Sequence, residues 1–359
     1  MLGMLLQWYR RRFSDPEAIA LLVILVVGFG ILFFFHSLLA PLLVALVMAY
    51  LLEWPTARLE RLGCSRTWAA SIMLIFSVGV LLLLALVVAP IAWQQGIYLI
   101  RDLPTMLNHL TDYAATLPKR YPALVDVGIF DAMTENMRSR LTGVGDQVVK
   151  FSLASLVGLL TLSIYLILVP LMVFFLLKDK EQMLNAVRSV LPRNRTLAGR
   201  VWVEMNQQIT NYIRGKVLEM VVVGVATYLG FIVFDLNYSL LLAVLVGLSV
   251  LIPYIGAFVV TIPVVFVALF QFGHGPEFWT LFAVYLTIQA LDGNVLVPIL
   301  FSEAVNLHPL VIILSVVIFG GFWGFWGVFF AIPLATLVKA VVYAWPDDDI
   351  VDEDNAISS

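Results

Sequence analysis

Asp292 is the residue of the sequence that is most clearly suited to bind an ion or a proton, because it is the only charged side chain in residues 278–302. An ionisable group inside a membrane-spanning helix costs at least about 2.5 kcal/mol on insertion scales, so it marks a candidate functional site. Gln289 shares a helix face with Asp292, and Asn294 lies nearby. These residues predict a site for a coupling cation, a proton or a polar ligand. A buried hydrogen-bonded network is the alternative.

Glu219 is a second candidate for ion coupling, at the border of the apolar stretch 220–234. Lys216 precedes it by one helical turn, a spacing that brings the two side chains together on a helix. A local ion pair at the membrane surface is therefore the alternative interpretation of Glu219.

Two long uncharged segments, residues 236–276 and 304–338, contain residues that break helices. The candidate hinge residues are Pro253 and Gly256 in the first segment and Gly320, Gly324, Gly327 and Pro333 in the second. Each interruption is followed by an Ile-Pro pair. Paired interruptions predict a midplane site at which half-helix ends and unwound carbonyl groups face a cavity. Close packing of helices through small residues is the alternative.

The chain that carries these residues is strongly apolar. Of its 359 residues, 62% are hydrophobic and 13% are charged, and the mean hydropathy is +0.99. A soluble protein has about 45–50% apolar and about 25% charged residues, and a core of this size cannot hide the excess from water. The solvent must therefore be lipid. This excludes a soluble enzyme, a nucleic-acid binder and a secreted disulfide scaffold, and the single cysteine, Cys64, agrees.

About 20 apolar residues in a helix cross the roughly 30 Å hydrocarbon core of a bilayer. The sequence therefore predicts an all-α polytopic membrane protein of about eight transmembrane segments, with broken or re-entrant helices in its C-terminal half. Ten segments are the alternative. The segments form a single transmembrane domain over residues 1–346. They are residues 18–35, 38–52, 68–93, 151–177, 220–234, 236–276, 278–302 and 304–338.

The distribution of lysine and arginine predicts the orientation of the segments. Basic residues are concentrated before the first segment, between the second and the third, and in residues 178–216, which places these regions and both termini in the cytoplasm. Residues 94–147 then form an external, periplasmic helical insertion, and residues 178–210 form a cytoplasmic amphipathic connector. Residues 347–359 form an acidic, disordered tail.

Several kinds of chemistry are not expected from this sequence. Gly215-Lys216 lacks the preceding glycine of a P-loop, so the chain does not use ATP directly. The four histidines are never paired at helical spacing, and no H-E-x-x-H or G-x-S-x-G motif occurs. We therefore expect no catalytic residue, no metal and no cofactor.

A series of short motifs along the chain resembles the autoinducer-2 exporter family of membrane proteins. The motifs are Pro55 with Gly63 and Arg66; residues 174–179; Tyr212-Ile213-Arg214-Gly215; Ile252-Pro253-Tyr254-Ile255-Gly256; Gln289 with Asp292, Asn294 and Pro298; Leu307-His308-Pro309; and Gly320, Gly324 and Gly327 followed by Pro333. The family more often has glutamate where Asp292 stands, so the carboxylate is held here on a shorter arm.

The resemblance implies an oligomeric protein of the bacterial inner membrane that exports autoinducer-2 or exchanges sodium for protons. It leads to the hypothesis of a secondary transporter that moves a small solute or ion across the lipid bilayer, coupled to a proton or sodium gradient. Asp292 with Gln289 and Asn294 would bind the coupling ion, and the helix breaks would let helices bend between two states. A passive channel-like homo-oligomer and a scaffold that binds partners through its external helices are the alternatives.

Overall fold

The computed structural model describes residues 16–120, 164–190, 196–301 and 307–344, and within these ranges the chain is helical, with no β-strand. The helices up to residue 190 are α1 Pro16–Arg61, α2 Arg66–Leu83, α3 Ala89–Arg120, α4 Ile164–Lys178 and α5 Lys180–Val190. A π-helical turn, Leu84–Val88, joins α2 to α3 without a loop. Helix α1 is kinked at Phe35, whose φ of −115° and ψ of 17° are not helical. The kink lies where the sequence predicts the division between the first two segments.

The C-terminal half consists of shorter helices that follow one long helix. They are α6 Thr196–Val233, α7 Ser239–Ser249, α8 Ile255–Phe272, α9 Pro276–Leu291, α10 Val297–Phe301, α11 Pro309–Trp323, α12 Phe325–Phe329 and α13 Ala331–Ala344. A second π-helical turn, Asp292–Leu296, joins α9 to α10. Helix α6 contains most of the predicted segment 220–234 and extends beyond it on the N-terminal side without interruption.

Several of these helices are long and apolar enough to cross a membrane. In the described residues they are Leu38–Arg61, Arg66–Met106, Val201–Val233, Ile255–Phe272 and Pro276–Phe301. Shorter apolar helices include Ile164–Lys178, Ser239–Ser249, Pro309–Trp323 and Ala331–Val341. Large apolar side chains on their outer faces are exposed, such as Leu86 at 73% and Phe258 at 74%, which suits contact with lipid. The all-α polytopic fold is therefore confirmed, and the number of eight segments stays a prediction.

Helices α7 and α8 are the two parts of one broken segment. Helix α7 ends at Ser249, and Pro253 lies in the turn that leads to α8. Tyr254 has a φ of +61° in this turn. A Cβ atom on Gly256 would lie 1.8 Å from the carbonyl oxygen of Ser249, so the start of α8 packs directly against the end of α7. An 11-residue helix of about 16 Å is too short to span a bilayer alone.

Helices α11, α12 and α13 form a second broken segment. Gly324 separates α11 from α12 with φ of 57° and ψ of −131°, a conformation open mainly to glycine. A Cβ atom on Gly327 would lie 1.8 Å from the carbonyl oxygen of Phe319. The two broken segments therefore have the same packing arrangement, in which a glycine after the break lies against a carbonyl group before the break.

Four apolar cores hold the helices together in the described residues, and two of them contain the most buried side chains. One lies between α1, α2 and α4 and contains Ala45, Ala70, Val173 and Leu177. The other lies between α6, α7, α8 and α9, and its buried side chains include Val223, Val246, Val264, Leu281 and Tyr285. The second core positions the candidate site, because α6 carries Lys216 and Glu219 and α9 leads into the π-helical turn that begins at Asp292.

The predicted divisions of the chain are described only in part. Residues 94–120 of the external insertion continue α3, and residues 121–147 lie outside the described residues. The connector 178–210 contains α5 and the first part of α6. The tail 347–359 also lies outside the described residues.

Candidate functional site

A close crossing of α6 and α7 brings the ionisable residues of α6 next to the helix break. A Cβ atom on Gly247 would lie 2.9 Å from the carbonyl oxygen of Met220 and 3.2 Å from the Cα atom of Gly224. Only glycine at position 247 lets the two backbones approach this closely. Because the helices cross there, Lys216, one turn before Met220, reaches the end of α7.

Lys216 is buried, and its ammonium group contacts a residue of its own helix, the C-terminal end of α7 and α10. Its Nζ atom lies 2.8 Å from Oε2 of Glu219, in an ion pair whose angles fall outside those of a hydrogen bond. The same ammonium group donates a hydrogen bond of 2.9 Å to the carbonyl oxygen of Val250, just past the C-terminus of α7. It also lies 5.1 Å from the ring centroid of Phe301, within the range of a cation–π contact. These partners compensate for much of the cost of burying the charge.

The ion pair between Lys216 and Glu219 is confirmed, whereas its position at the membrane surface stays a prediction. The side chains of Lys216 and Glu219 are only 6% and 3% exposed. Helix α6 continues on both sides of the pair, with an apolar sequence on the C-terminal side, and α7, α10 and the π-helical turn pack against it. Glu219 therefore lies inside the protein, where an ionised carboxylate needs a partner.

Asp292 begins the π-helical turn, and this turn packs against α6. Asp292 is half-buried, and its carboxylate interacts electrostatically with Lys216, which attracts it, and with Glu219, which repels it. Its Oδ1 atom is buried and accepts no hydrogen bond from the described residues. We call Lys216, Glu219 and Asp292 the central cluster. With both carboxylates ionised, the cluster has one positive and two negative charges and a net charge of −1.

Gln289 and Asn294 donate hydrogen bonds to groups outside the central cluster, and their part in an ion site stays a prediction. The amide nitrogen of Gln289 donates to the hydroxyl of Tyr285 at 3.0 Å. Tyr285 and Thr261 share a hydrogen bond of 2.8 Å, and Thr261 donates to the carbonyl oxygen of Ala257, so Tyr285 is the donor to Thr261. This chain links α9 to α8. The exposed Asn294 donates to the carbonyl oxygen of Ala290 at 2.8 Å, within its own helix.

The candidate hinge glycines fall into two kinds. Gly256, Gly320 and Gly327 are sites of close packing, since a Cβ atom on Gly320 would also lie only 2.8 Å from Val328. Gly324 is instead required by its backbone conformation and has open space around it. Pro333 lies in the first turn of α13, where proline is tolerated. The structure therefore contains the breaks, and most of these glycines also serve helix packing.

A second group of charges lies at the helix ends of the N-terminal half. Arg66 donates to Glu60 at 2.8 Å, to Glu53 at 2.8 Å and to the carbonyl oxygen of Leu177 at 2.7 Å. Lys180 donates to the other oxygen of Glu53 at 2.8 Å. We call Glu53, Glu60, Arg66 and Lys180 the peripheral network. It ties α1, α2, α4 and α5 together, and its two positive and two negative charges cancel.

An apolar cavity of about 180 Å³ lies elsewhere, between α1, α6, α12 and α13. Leu46, Met205 and Trp326 are among its lining residues, and no member of the central cluster is. Its walls are apolar, so they offer a polar solute no hydrogen bonds. The charged candidate site and this cavity are therefore separate features.

Sequence reasoning missed the tertiary partners of the candidate residues. Val250 and Phe301 carry no chemical signal, since one contributes a backbone carbonyl and the other a ring. Lys216 was visible as the neighbour of Glu219, but its spacing alone could not distinguish a buried pair from a surface pair. The available signal was the length of the helix, because α6 extends 20 residues before Lys216 and 17 after it.

Comparison with known proteins supports a transport role. The sequence profile of the AI-2E family transporter matches residues 22–347. The chain is 80% identical over 353 residues to a protein named as a permease, PerM, of Escherichia coli K12, covering 98% of this chain and 100% of PerM. It is 27% identical over 315 residues to a protein named as a transport protein, YueF, of Bacillus subtilis 168, covering 86% and 84% of the two chains. This chain therefore belongs to the AI-2E transporter family.

Proposed function

We propose that this chain is a secondary transporter of a bacterial inner membrane that exports a small solute, chemically similar to autoinducer-2, in a process coupled to a proton or sodium gradient. Both termini lie in the cytoplasm, in keeping with the basic residues of the connecting segments. The family match and the name of the PerM relative support transport as the general role. The solute, the coupling ion and the direction are the proposal.

The observation that carries the proposal is the excess negative charge of the central cluster. Glu219 has Lys216 as its partner, and Asp292 retains a buried oxygen without a donor among the described residues. Asp292 is half-buried, so its charge is partly excluded from water, and a buried charge without a partner is costly. A proton or alkali cation that enters the cluster neutralises the excess charge and removes this cost. The free energy of the site therefore favours binding one cation, from either side of the membrane.

The position of the cluster supports a link between ion binding and movement. Lys216 binds the carbonyl oxygen of Val250, at the end of α7 and next to the turn that contains Pro253. Carbonyl groups at a helix C-terminus attract cations, so this bond holds the end of the broken helix against α6. A cation that arrives beside Asp292 changes the field on Lys216 and weakens that bond. Ion binding would thereby loosen the break and allow the solute path to change its open side.

The test is gradient-driven flux in proteoliposomes, with autoinducer-2 as the probe solute. We expect the wild-type protein to accumulate the probe against its gradient when a proton or sodium gradient is imposed, and Asp292→Asn to lose this accumulation. Asn294→Ala is the matched control, because Asn294 is exposed and bonds only to its own helix. It should retain the driven flux.

Three results would contradict parts of the proposal. Accumulation by Asp292→Asn at the wild-type level would remove the coupling role of Asp292. Equilibration of the probe that ignores both gradients would instead support the passive channel. Sodium and proton exchange without any flux of the probe would favour a sodium–proton antiporter, because the central cluster needs no organic solute to bind a cation.

A further inference from the structure

We infer that Lys216 is a permanent internal cation that neutralises Glu219, so that the central cluster accepts one exchangeable monovalent cation, a proton or an alkali ion. The role of that cation in coupling rests on the proposed function. The number of cations bound follows from the geometry and the charges alone, and it can be measured without transport.

Lys216 is suited to act as a fixed positive charge. Its side chain is 6% exposed, and its ammonium group is held by Glu219 at 2.8 Å, by the carbonyl oxygen of Val250 at 2.9 Å and by the face of Phe301 at 5.1 Å. Gly215 leaves room for the ring, since a Cβ atom there would lie 2.7 Å from Phe301. A cation from solution can be exchanged, whereas this one is covalently attached and enclosed. Glu219 therefore needs no second cation.

Asp292 is the group left for an exchangeable ion. Its field acts on both members of the pair, but the contact of 2.8 Å belongs to Lys216 and Glu219. A monovalent cation brings the cluster to neutrality, whereas a divalent cation would leave a buried net charge of +1 and a new desolvation cost. The charge balance thus selects a proton or an alkali ion.

The neighbouring ionisable groups do not alter this balance. Tyr212 lies near Glu219, and its neutral hydroxyl donates a hydrogen bond of 2.9 Å to the carbonyl oxygen of Phe329. Arg214 lies on the same helix, and its guanidinium interacts electrostatically with Glu53 of the peripheral network. Among the described residues, α7 contributes a carbonyl group and α10 an aromatic ring.

For each charge-changing variant, the inference predicts a whole number of cations bound per chain. The wild-type protein should bind one cation, because the cluster has one positive and two negative charges. Glu219→Gln should bind none, since Lys216 then neutralises Asp292. Lys216→Met should bind two. The double variant Lys216→Met/Glu219→Gln should bind one again. The control Glu60→Gln, in the peripheral network, should also bind one, because it leaves the three charges of the central cluster unchanged.

The count is measured on purified protein in lipid nanodiscs. Equilibrium dialysis with radioactive sodium at alkaline pH gives the number of sodium ions. Proton uptake on acidification, taken as the difference from a variant that carries Lys216→Met, Glu219→Gln and Asp292→Asn together, gives the number of protons. The two measurements distinguish an alkali ion from a proton as the natural occupant.

The decisive result is the comparison of Glu219→Gln with the double variant. Loss of binding in the first and its return in the second supports the inference, and a merely structural role of Glu219 would not produce that return. One cation still bound by Glu219→Gln, or none bound by the double variant, overturns it. This comparison does not require the single variant Lys216→Met to fold.

The outcome is also separable from that of the proposed function. A wild-type protein that binds one cation but shows no gradient-driven flux would contradict the transporter mechanism and leave the inference intact. Gradient-driven flux by a wild-type protein that binds none or two cations would contradict the inference and leave the transporter mechanism intact.

Discussion

The peripheral network and the central cluster are built from the same types of side chain but differ in burial and in charge balance. The peripheral residues are 24–40% exposed, and each oxygen of Glu53 and two nitrogens of Arg66 have an oppositely charged partner. The central pair is only 6% and 3% exposed, and the cluster has one carboxylate in excess. A balanced network at helix ends can stabilise the fold and do nothing more. An unbalanced cluster between apolar helices is stabilised when a cation from solution binds and neutralises its excess charge.

The largest stability effect should come from Lys216→Ala. This change removes the partner of a buried carboxylate and leaves two negative charges together, a kind of change that costs about 3–5 kcal/mol. The free energy of unfolding, measured by denaturant titration in detergent, should fall by this amount at alkaline pH and low sodium. Acid or sodium should restore part of it by neutralising the carboxylates. An unchanged stability at alkaline pH would contradict the burial of the pair.

A second large effect should come from Gly256→Ala, at the break that presents Val250 to Lys216. The added Cβ atom would lie 1.8 Å from the carbonyl oxygen of Ser249, so the α7–α8 turn must open. Strain of this kind costs about 3 kcal/mol, at the upper end of the usual range for overpacking. Gly79→Ala is the matched control, since no atom lies within 4 Å of its Cβ position. Equal thermal stabilities of the two variants would show that Gly256 is a free hinge and not a packing site.

The smallest effect should come from Lys180→Met in the peripheral network. Lys180 is 40% exposed, and Glu53 keeps its bond to Arg66 when Lys180 is lost. An exposed ion pair of this kind contributes about 0.2–1 kcal/mol, and salt weakens it further. The difference in unfolding free energy from wild type should be within that range at low salt and should shrink at high salt. A loss comparable to that of Lys216→Ala would erase the contrast between the two groups of charges.

The two regions also differ in how far the sequence predicts them. Helical, membrane-spanning structure follows from apolar stretches of about 20 residues, and the breaks follow from Pro253 and Gly324, because these residues act on their own backbone. Asp292 stands out because it is alone in an apolar stretch. These features are local in the chain.

The assembly of the central cluster could not be predicted from the sequence, because the contacts that join its residues to other helices are not local. Val250 lies 34 residues from Lys216 along the chain and contributes only its backbone. The approach of α6 to α7 depends on Gly224 and Gly247, which are two of 23 glycines with nothing in the sequence to mark them. The amide of Gln289 donates to Tyr285, one turn earlier on the same helix, and its spacing to Asp292 did not reveal this partner.

The central claim is that the excess charge of the central cluster couples ion movement to solute movement, whereas the balanced peripheral network does not. The most direct test applies the same kind of substitution to both groups, Asp292→Asn in the cluster and Glu60→Gln in the network, and compares gradient-driven flux of autoinducer-2 in proteoliposomes. The account predicts that Glu60→Gln keeps the wild-type dependence on the imposed proton or sodium gradient and that Asp292→Asn loses it. Driven flux that survives in Asp292→Asn and fails in Glu60→Gln would contradict the account.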